Sequence, residues 1–266
     1  MKIINSLVFL ILFFTIAACS KKVINDFSKG RWIDLSHSYS KETIYWPTAE
    51  GFKIKTDFEG YTDKGYYYSA YSYCTAEHGG THLDAPIHFY EKGNTVDLIP
   101  LSQLIGEAIV VDVSKKALAD ADYQVTVDDF KHWEAINGGV PYNSIVILKT
   151  GYGRYWPDRV KYMGTAERGS EAVKKLHFPG LHPDAATWLV KERNIKAIGL
   201  DTPSIDYGQS SYFKSHQILF EHNIPAFENL ANIERLPVKG ATVIALPMKI
   251  EGGSGGPLRI IAFIPE

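Results

Sequence analysis

The sequence predicts a fold of mixed strands and helices, of the α/β or α+β class, because strand-like and helix-like segments both recur along it. The chain has 266 residues, 45% of them hydrophobic, which permits a substantial core. Without an N-terminal leader it would keep about 248 residues, a length that suits one large domain or two small ones. There is no internal repeat, low-complexity tract or clear linker, so one domain over residues 31–266 is expected.

Seven segments are predicted to be strands, because many are β-branched and bounded by glycine or proline. Five tyrosines crowd the second of them, and ordinary strand packing is their expected role, since tyrosine favours β structure. Lining of an aromatic-substrate pocket is the alternative. The strands are Trp32–Leu35, Tyr66–Cys74, Ala108–Val113, Ser144–Lys149, Ala197–Leu200, Thr242–Leu246 and Leu258–Ile264.

Three segments are predicted to be helices from signals at their N-termini. Thr126 and Asp129 form a pattern like a capping box at the start of TVDDFKHWEAI. Pro183 stands at a plausible first helical position in PDAATWLVKER, and Ser215 is the expected N-cap of SHQILFEHN. All three segments lie between predicted strands.

The N-terminus has the pattern of a bacterial lipoprotein signal. Leu7–Ala18 is a largely apolar run, too short to span a bilayer but suited to a signal-peptide core. It ends in IAAC, which resembles a lipobox, so we expect residues 1–18 to be removed and Cys19 to be acylated. Residues 19–30 would then tether an exported protein to a membrane, at its periplasmic or cell-surface face, without a membrane span. An ordinary secretory signal is the alternative.

Charge and cysteine content argue against two kinds of protein. The formal net charge is −2 and no long basic block occurs, whereas a nucleic-acid partner needs clustered lysine and arginine. The chain contains two cysteines, Cys19 and Cys74, so acylation of the first leaves no intrachain disulfide possible.

The segment EHGGTHLDAPIHFY places His78, His82, Asp84 and His88 within eleven positions. Three imidazoles and one carboxylate so close together are costly to bury unless a partner compensates them. A divalent metal is the usual partner, and neutral imidazole is its commonest protein ligand. A histidine-rich surface loop is the alternative, although glycines stand where a metal site would need a bend.

The spacing of this motif fits an extended segment with a bend and excludes a helix, because Gly79–Gly80 and a later proline both break helices. A straight strand would put His78 roughly 13 Å from His82, so the glycine pair must turn the chain for both to bind one ion. His88 lies beyond the proline, which suits proton transfer better than metal ligation.

HGGTHLDAPIHF resembles the HxGTHxDxPxHF signature of the metal-dependent cyclase family, which includes bacterial kynurenine formamidases and isatin hydrolases. The resemblance covers nearly the whole chain after residue 30. It implies an α/β fold of the swivelling β/β/α type with a mixed sheet, which periodicity alone does not select. It also implies that His78, His82 and Asp84 ligate the metal, and that His88 serves in acid–base chemistry.

The resemblance further implies that a histidine and a glutamate twelve residues apart complete the site. His216 and Glu228 have that separation, and they would complete a second metal position or accept protons. Asp84 could bridge two ions, because a carboxylate has two oxygens. One or two ions of Zn²⁺ or Mn²⁺ are expected, since mixed nitrogen and oxygen ligation tolerates both metals.

The expected activity is hydrolysis of an aryl amide by metal-bound hydroxide, because a divalent ion lowers the pKa of its water towards about 7. His88 would deliver a proton to the departing nitrogen, a role that suits a near-neutral pKa. The resemblance implies N-formylkynurenine or isatin as the substrate. An exported location, and YWPTAEGF where formamidases tend to have YPGDP, weaken the formamidase assignment. A metal-dependent lyase or cyclase and a non-catalytic binding lipoprotein are the alternatives.

The remaining candidates depend on weaker signals. Trp46 is a possible substrate contact, since this region lies near the substrate in that family, which also implies a homo-oligomer assembled through the N-terminal region. Asp201 and Asp206 follow a predicted strand and fit either a site or turn capping, so their role is open. Ser254 lies in a G-x-S-x-G match, but a strand follows it and no histidine does, which argues for a glycine turn near the site.

Overall fold

The computed structural model describes residues 26–266, so the predicted signal peptide and Cys19 lie outside the described residues. Its strands form one large sheet and two small ones. In chain order they are β1 (Gly30–Asp34), β2 (Lys53–Tyr61), β3 (Tyr67–Cys74), β4 (His82–Asp84), β5 (Ile105–Asp112), β6 (Gln124–Val125), β7 (Ile145–Lys149), β8 (Gly180–Leu181), β9 (Ala197–Leu200), β10 (Ala226–Glu228), β11 (Ala241–Pro247) and β12 (Gly255–Pro265).

The helices are short and stand between these strands. They are α1 (Leu101–Leu104), α2 (Ser114–Ala117), α3 (Val127–Asn137), α4 (Arg159–Met163), α5 (Ser170–Val173), α6 (Pro183–Trp188) and α7 (Lys214–Glu221). A π-helical turn over Leu189–Arg193 continues α6, and 3₁₀ turns cover Pro86–His88, Val96–Leu98, Tyr152–Tyr155 and Ile233–Arg235. Within residues 26–266, no helix has the length and apolar character needed to cross a bilayer.

The large sheet closes on itself because β12 is long enough to pair with three strands. Its order is β1-β12-β11-β5-β7-β9-β10-β4, and β4 also pairs with β12, which joins seven strands into a ring. Along β12, residues 255–257 pair with β4, residues 258–263 with β11 and residues 261–265 with β1. β5, β7, β9 and β10 are parallel neighbours, and the other pairs are antiparallel. The predicted α/β fold with a mixed sheet is confirmed.

Alternation along the strands of the ring separates two hydrophobic clusters. Val110 and Ile147 belong to the cluster that fills the ring, whereas their neighbours Ile109 and Val146 belong to a cluster on the outer face. Successive side chains of a strand point to opposite faces, so apolar runs such as these supply both clusters at once. Buried side chains of α3, α6 and α7 cover the outer cluster.

Local patterns predict seven of the twelve strands and three of the seven α-helices in residues 26–266. All seven predicted strands are present, and their ends lie within three residues of the predicted ones. Both hydrogen bonds of the predicted capping box between Thr126 and Asp129 are made, and Pro183 opens α6. β4 lies in the segment around His82 and Asp84 that the motif predicts to be extended, whereas β10 was not predicted, because three residues are too few for a periodic pattern.

The predicted N-cap of α7 is wrong. The helix begins before Ser215, and the preceding Phe213 adopts a left-handed conformation with φ of 50°. The carboxylate of Asp206 accepts hydrogen bonds from the N–H groups of Ser215 and His216, each at 3.1 Å. The Ser215 hydroxyl donates to the carbonyl of Leu181 instead, at 2.7 Å. The cap comes from a residue nine positions earlier, which a local motif cannot reveal.

The hairpin of β2 and β3 pairs with no other strand of the described chain. Its residues are exposed on both faces, and large hydrophobic and aromatic side chains are among them. The expectation of ordinary strand packing for the five tyrosines is therefore wrong, since all are 46–57% exposed. The exposed hydrophobic and aromatic side chains of the hairpin region are Ile54, Phe58, Tyr61, Tyr66, Tyr67, Tyr68, Tyr71 and Tyr73.

Candidate metal centre

Two adjacent strands of the ring position three of the predicted ligands. β4 and β10 are antiparallel, and their register sets His82 opposite Glu228. Leu83 and Phe227 belong to the cluster inside the ring. Because strand side chains alternate, His82, Asp84 and Glu228 point to the outer face, where all three are buried.

A bend at Gly79–Gly80 brings His78 to the same place, as the spacing predicts. Gly80 has a backbone φ of 59°, a conformation that residues other than glycine rarely adopt. A Cβ atom on Gly79 would lie 2.0 Å from the ring of Tyr45, so this position also needs glycine for close packing. The bend places the two histidine rings with their centroids 5.5 Å apart.

The donor atoms form two groups of three that share Asp84. His78, His82 and Asp84 form the first group, and Asp84, His216 and Glu228 form the second, with the atoms of each group within 4.8 Å of one another. Oδ1 of Asp84 lies 2.6 Å from His78 Nδ1 and 3.0 Å from His82 Nε2. Its Oδ2 lies 3.3 Å from His216 Nε2, which is 3.2 Å from Glu228 Oε1. Asp84 is thus placed to bridge two positions.

Hydrogen bonds from the ligand rings fix which nitrogen faces the centre. His82 Nδ1 lies 2.9 Å from the carbonyl oxygen of Gly80, so Nε2 faces the carboxylates. His216 Nδ1 lies 2.6 Å from the carboxylate of Asp206, which leaves its Nε2 towards Asp84. Such outer hydrogen bonds are typical of histidines that ligate metals.

The electrostatics of the centre fit a divalent cation. Burial and the nearby Asp84 raise the pKa of Glu228. Burial opposes ionisation of Asp84, yet His78 and His82 hold its pKa well below the usual range. Burial would lower the pKa of His82, but Asp84 and Glu228 raise it to about 9. Two buried carboxylates among imidazoles attract positive charge strongly, and these nitrogen and oxygen donors suit Zn²⁺ or Mn²⁺.

His88 stands beside the donor groups without belonging to either. It ends the 3₁₀ turn that follows β4, and its ring stacks on His78 with centroids 3.8 Å apart. Burial lowers the pKa of His88 to about 4, helped by His78 and His216 against the attraction of Asp84. The expectation of a near-neutral pKa is therefore wrong for this structure. At pH 7 His88 is therefore neutral and can accept a proton, although a pKa this low makes it a weak base, and its role in acid–base chemistry stays a prediction.

A pocket of about 290 Å³ opens onto these residues, and aromatic side chains form part of its lining. Trp46 lines it, with its ring centroid 6.2 Å from that of Phe213, and its contact with substrate stays a prediction. Phe89 lies 5.2 Å from Phe213 and 4.7 Å from His216. The pocket therefore joins an apolar, aromatic binding surface to the polar donor groups, as substrate sites commonly do.

Sequence patterns left the roles of Asp201 and Asp206 open, and their contacts differ. Asp206 caps α7 and orients His216, so it acts on the site through that ring. Asp201 accepts hydrogen bonds from the N–H and hydroxyl of Thr150 and from the N–H groups of Gly151 and Gly153, at 2.7 to 3.2 Å. Asp201 therefore holds the turn after β7, and burial raises its pKa.

Comparison with known proteins agrees with the geometry. The model of the Cyclase family matches residues 33–207. Isatin hydrolase from Roseibium aggregatum is 32% identical over 243 residues, which cover 88% of this chain and 87% of that protein. The chain belongs to the Cyclase family.

Two further similar proteins support the same class of activity. Kynurenine formamidase from Bacillus cereus is 25% identical over 235 residues, covering 87% of this chain and 97% of that protein. An isatin hydrolase bound to the product analogue thioisatinate superimposes with a TM-score of 0.80 at 29% identity, over 90% of this chain and 94% of that one. The predicted fold and the predicted class, a metal-dependent amide hydrolase, are confirmed.

We predict that Asp206→Asn weakens metal binding by about 10- to 100-fold, because the amide no longer fixes His216 as an ionised carboxylate does. It should also lower the free energy of unfolding by about 1–3 kcal/mol, since a charged acceptor of two buried N–H groups is lost. Chelator competition and urea denaturation measure the two effects.

Asp158→Asn is the matched control for Asp206→Asn. Asp158 also caps a helix, α4, by accepting from the N–H of Lys161 at 3.2 Å, but it lies outside both donor groups. Its substitution should leave metal affinity unchanged. Equal metal affinity in the Asp206 variant and the unmodified protein would rule out the orienting role.

Proposed function

We propose that this protein hydrolyses the ring amide of an isatin-type substrate. The observation that carries the proposal is the aromatic pocket that opens directly onto the two donor groups. We propose that a flat bicyclic ring packs against the aromatic lining of this pocket, which includes Trp46, Phe89 and Phe213, with its carbonyl towards the donor atoms. The 32% identity to an isatin hydrolase supports this substrate over N-formylkynurenine, since the formamidase relative is 25% identical.

The residues for the proposed cofactor are His78, His82 and Asp84, with His216 and Glu228 for a second position bridged by Asp84. We propose Zn²⁺ or Mn²⁺ as the ion, in one or two copies, because mixed nitrogen and oxygen donors accept both. Such an ion supplies a Lewis acid that makes water acidic and polarises a carbonyl. This role explains why so many ionisable groups are buried together.

His88 is the proposed proton carrier of the reaction. Because its pKa lies near 4, it is neutral at pH 7 and can take a proton from the attacking water. As the C–N bond breaks, the same imidazolium gives that proton to the nitrogen that leaves. The oxygen of water and its second proton become part of the new carboxyl group, so the ring-opened acid gains one water in mass, and that proton passes to solvent when the acid ionises.

The first test is turnover by the purified protein. Isatin and N-formylkynurenine are offered side by side, with and without chelator, while absorbance and product mass are followed. We expect chelator-sensitive ring opening of isatin with a gain of one water. Loss of mass or an unchanged mass would indicate a lyase or cyclase, and no reaction on either substrate by metal-loaded protein would favour a binding protein.

Two histidine variants separate ligation from proton transfer in that assay. His82→Ala should lose both bound metal and turnover, because it removes a ligand. His88→Ala should keep its metal and lose about 10²- to 10⁴-fold in turnover, because it removes the proton carrier. His132, exposed on α3, provides a control whose alanine variant should retain both. Full turnover in the His88 variant would contradict its role.

We also propose that the protein is a homo-oligomer that buries the β2–β3 hairpin against a second copy. Exposed apolar side chains on both faces of a two-stranded ribbon are unusual unless a partner covers them. β3 leads within four residues to His78, so a second copy on this hairpin would lie near the pocket.

Size measurement by light scattering tests the assembly. The double variant Ile54→Asp, Phe58→Lys should shift the protein towards monomer, because it places charges on the apolar hairpin. Ile136→Asp, which changes a 70% exposed residue on α3, should not. An oligomer that survives the hairpin substitutions, or an unmodified protein that is already monomeric, would contradict the proposed interface.

The location proposed for the protein is outside the cytoplasm, on a lipid anchor at Cys19. The support is the apolar run before it and the lipobox-like IAAC. We expect the mature protein in the membrane fraction, with a mass that includes acyl chains on an N-terminal cysteine. Cys19→Ser should move it out of that fraction, and an unacylated mature chain would disprove the anchor.

A further inference from the structure

Ser254 lies beside the candidate ligand His78 and contacts two polar side chains. Its Oγ is 2.5 Å from Glu77 Oε2 and 2.9 Å from His78 Nε2. The backbone N–H of Ser254 donates to the same carboxylate at 3.2 Å. Glu77 itself is 3.9 Å from His78 Nε2, too far for a direct hydrogen bond, so its effect on the ring passes through Ser254.

The direction of these hydrogen bonds follows from the groups involved. An ionised carboxylate accepts only, so the single hydroxyl proton of Ser254 is committed to Glu77. The hydroxyl oxygen can then act only as an acceptor towards His78, whose Nε2 must carry the hydrogen. Without a cation, Nδ1 of His78 donates to Oδ1 of Asp84, 2.6 Å away. When a cation binds, Nδ1 gives up that hydrogen, because Nε2 keeps its own, and the lone pair of Nδ1 faces the first donor group.

The glycines around Ser254 allow this contact. A Cβ atom on Gly255 would lie 2.5 Å from the carbonyl oxygen of Leu83 and 2.6 Å from His78 Cε1. A Cβ atom on Gly253 would lie 2.8 Å from Glu77 Oε1. The G-x-S-x-G match thus lies at the site because its glycines let the chain pack against His78, and β12, not a helix, follows it.

We propose that Ser254 and Glu77 are positioning residues that fix the tautomer and orientation of His78 for metal binding through Nδ1. The inference depends on the proposed metal centre and extends it to two residues outside both donor groups. The pair acts as one unit: Glu77 directs the hydroxyl proton, and Ser254 holds the ring.

Zinc titration of the full-length protein against a competing chelator tests the pair. Ser254→Ala should weaken zinc binding by about 10- to 100-fold, as expected when an outer hydrogen bond to a ligand is lost. Glu77→Gln should weaken it in the same direction, and the double variant should be no weaker than Ser254→Ala alone, because Glu77 acts through Ser254. Ser114→Ala, which removes a serine that donates to Asp112 at 2.6 Å on the surface, is the matched control.

A second readout is the imidazole ¹⁵N spectrum of the zinc-loaded protein. The ¹⁵N signals of His78 are identified as those that are missing in His78→Ala. In the unmodified protein these signals should show zinc ligation at Nδ1 and hydrogen at Nε2, and Ser254→Ala should alter them. Zinc affinity within twofold of the unmodified protein in Ser254→Ala, or ligation through Nε2, would overturn the positioning role and leave the metal centre intact. Absence of zinc binding by the unmodified protein would overturn the metal centre and the inference together. If Ser254→Ala does not fold, Glu77→Gln decides by the same criteria.

Discussion

The pairing of β4 with β10 is the interaction on which the rest of the site depends. Its register places His82 directly opposite Glu228, and a slip of β4 by one residue would turn His82 and Asp84 towards the inside of the ring, away from Glu228. β12 fixes β4 from its other edge through residues 255–257. A three-residue strand held on both edges has little freedom, so the site inherits the rigidity of the closed sheet.

The second constraint on the site is that its buried carboxylates need compensating positive charge. Asp84 and Glu228 are only 2% and 3% exposed, and a pair of buried carboxylates is unfavourable unless positive charge compensates it. The pKa values of His82 and His216 are raised, so both rings can carry that positive charge as imidazolium when no cation is bound, and a bound cation would replace it. Binding of a divalent ion should therefore release protons, which couples metal affinity to pH.

The sequence predicts the parts of this site that are local, and the remainder depends on contacts that join distant segments. The even spacing of His82 and Asp84 and the Gly79–Gly80 bend follow from elementary strand geometry. His216 and Glu228 entered only through a family resemblance, because neither spacing nor periodicity links them to the motif. Asp206 and the low pKa of His88 depend on burial among residues brought together by ring closure, which no local pattern contains.

The fold separates most of the donor groups from the aromatic lining of the pocket. Four donor side chains lie on strands of the ring and on α7, and His78 lies in the bend before β4, whereas Trp46 and Phe213 lie on loops, and Phe213 has an unusual left-handed backbone. Strain of this kind costs about 1–3 kcal/mol and is retained where it places a side chain usefully. The loops that carry Trp46 and Phe213 can change in sequence while the ring keeps His82, Asp84 and Glu228 in register. The lining of the pocket can therefore vary without disturbing the donor groups, so one scaffold can present them to different substrates.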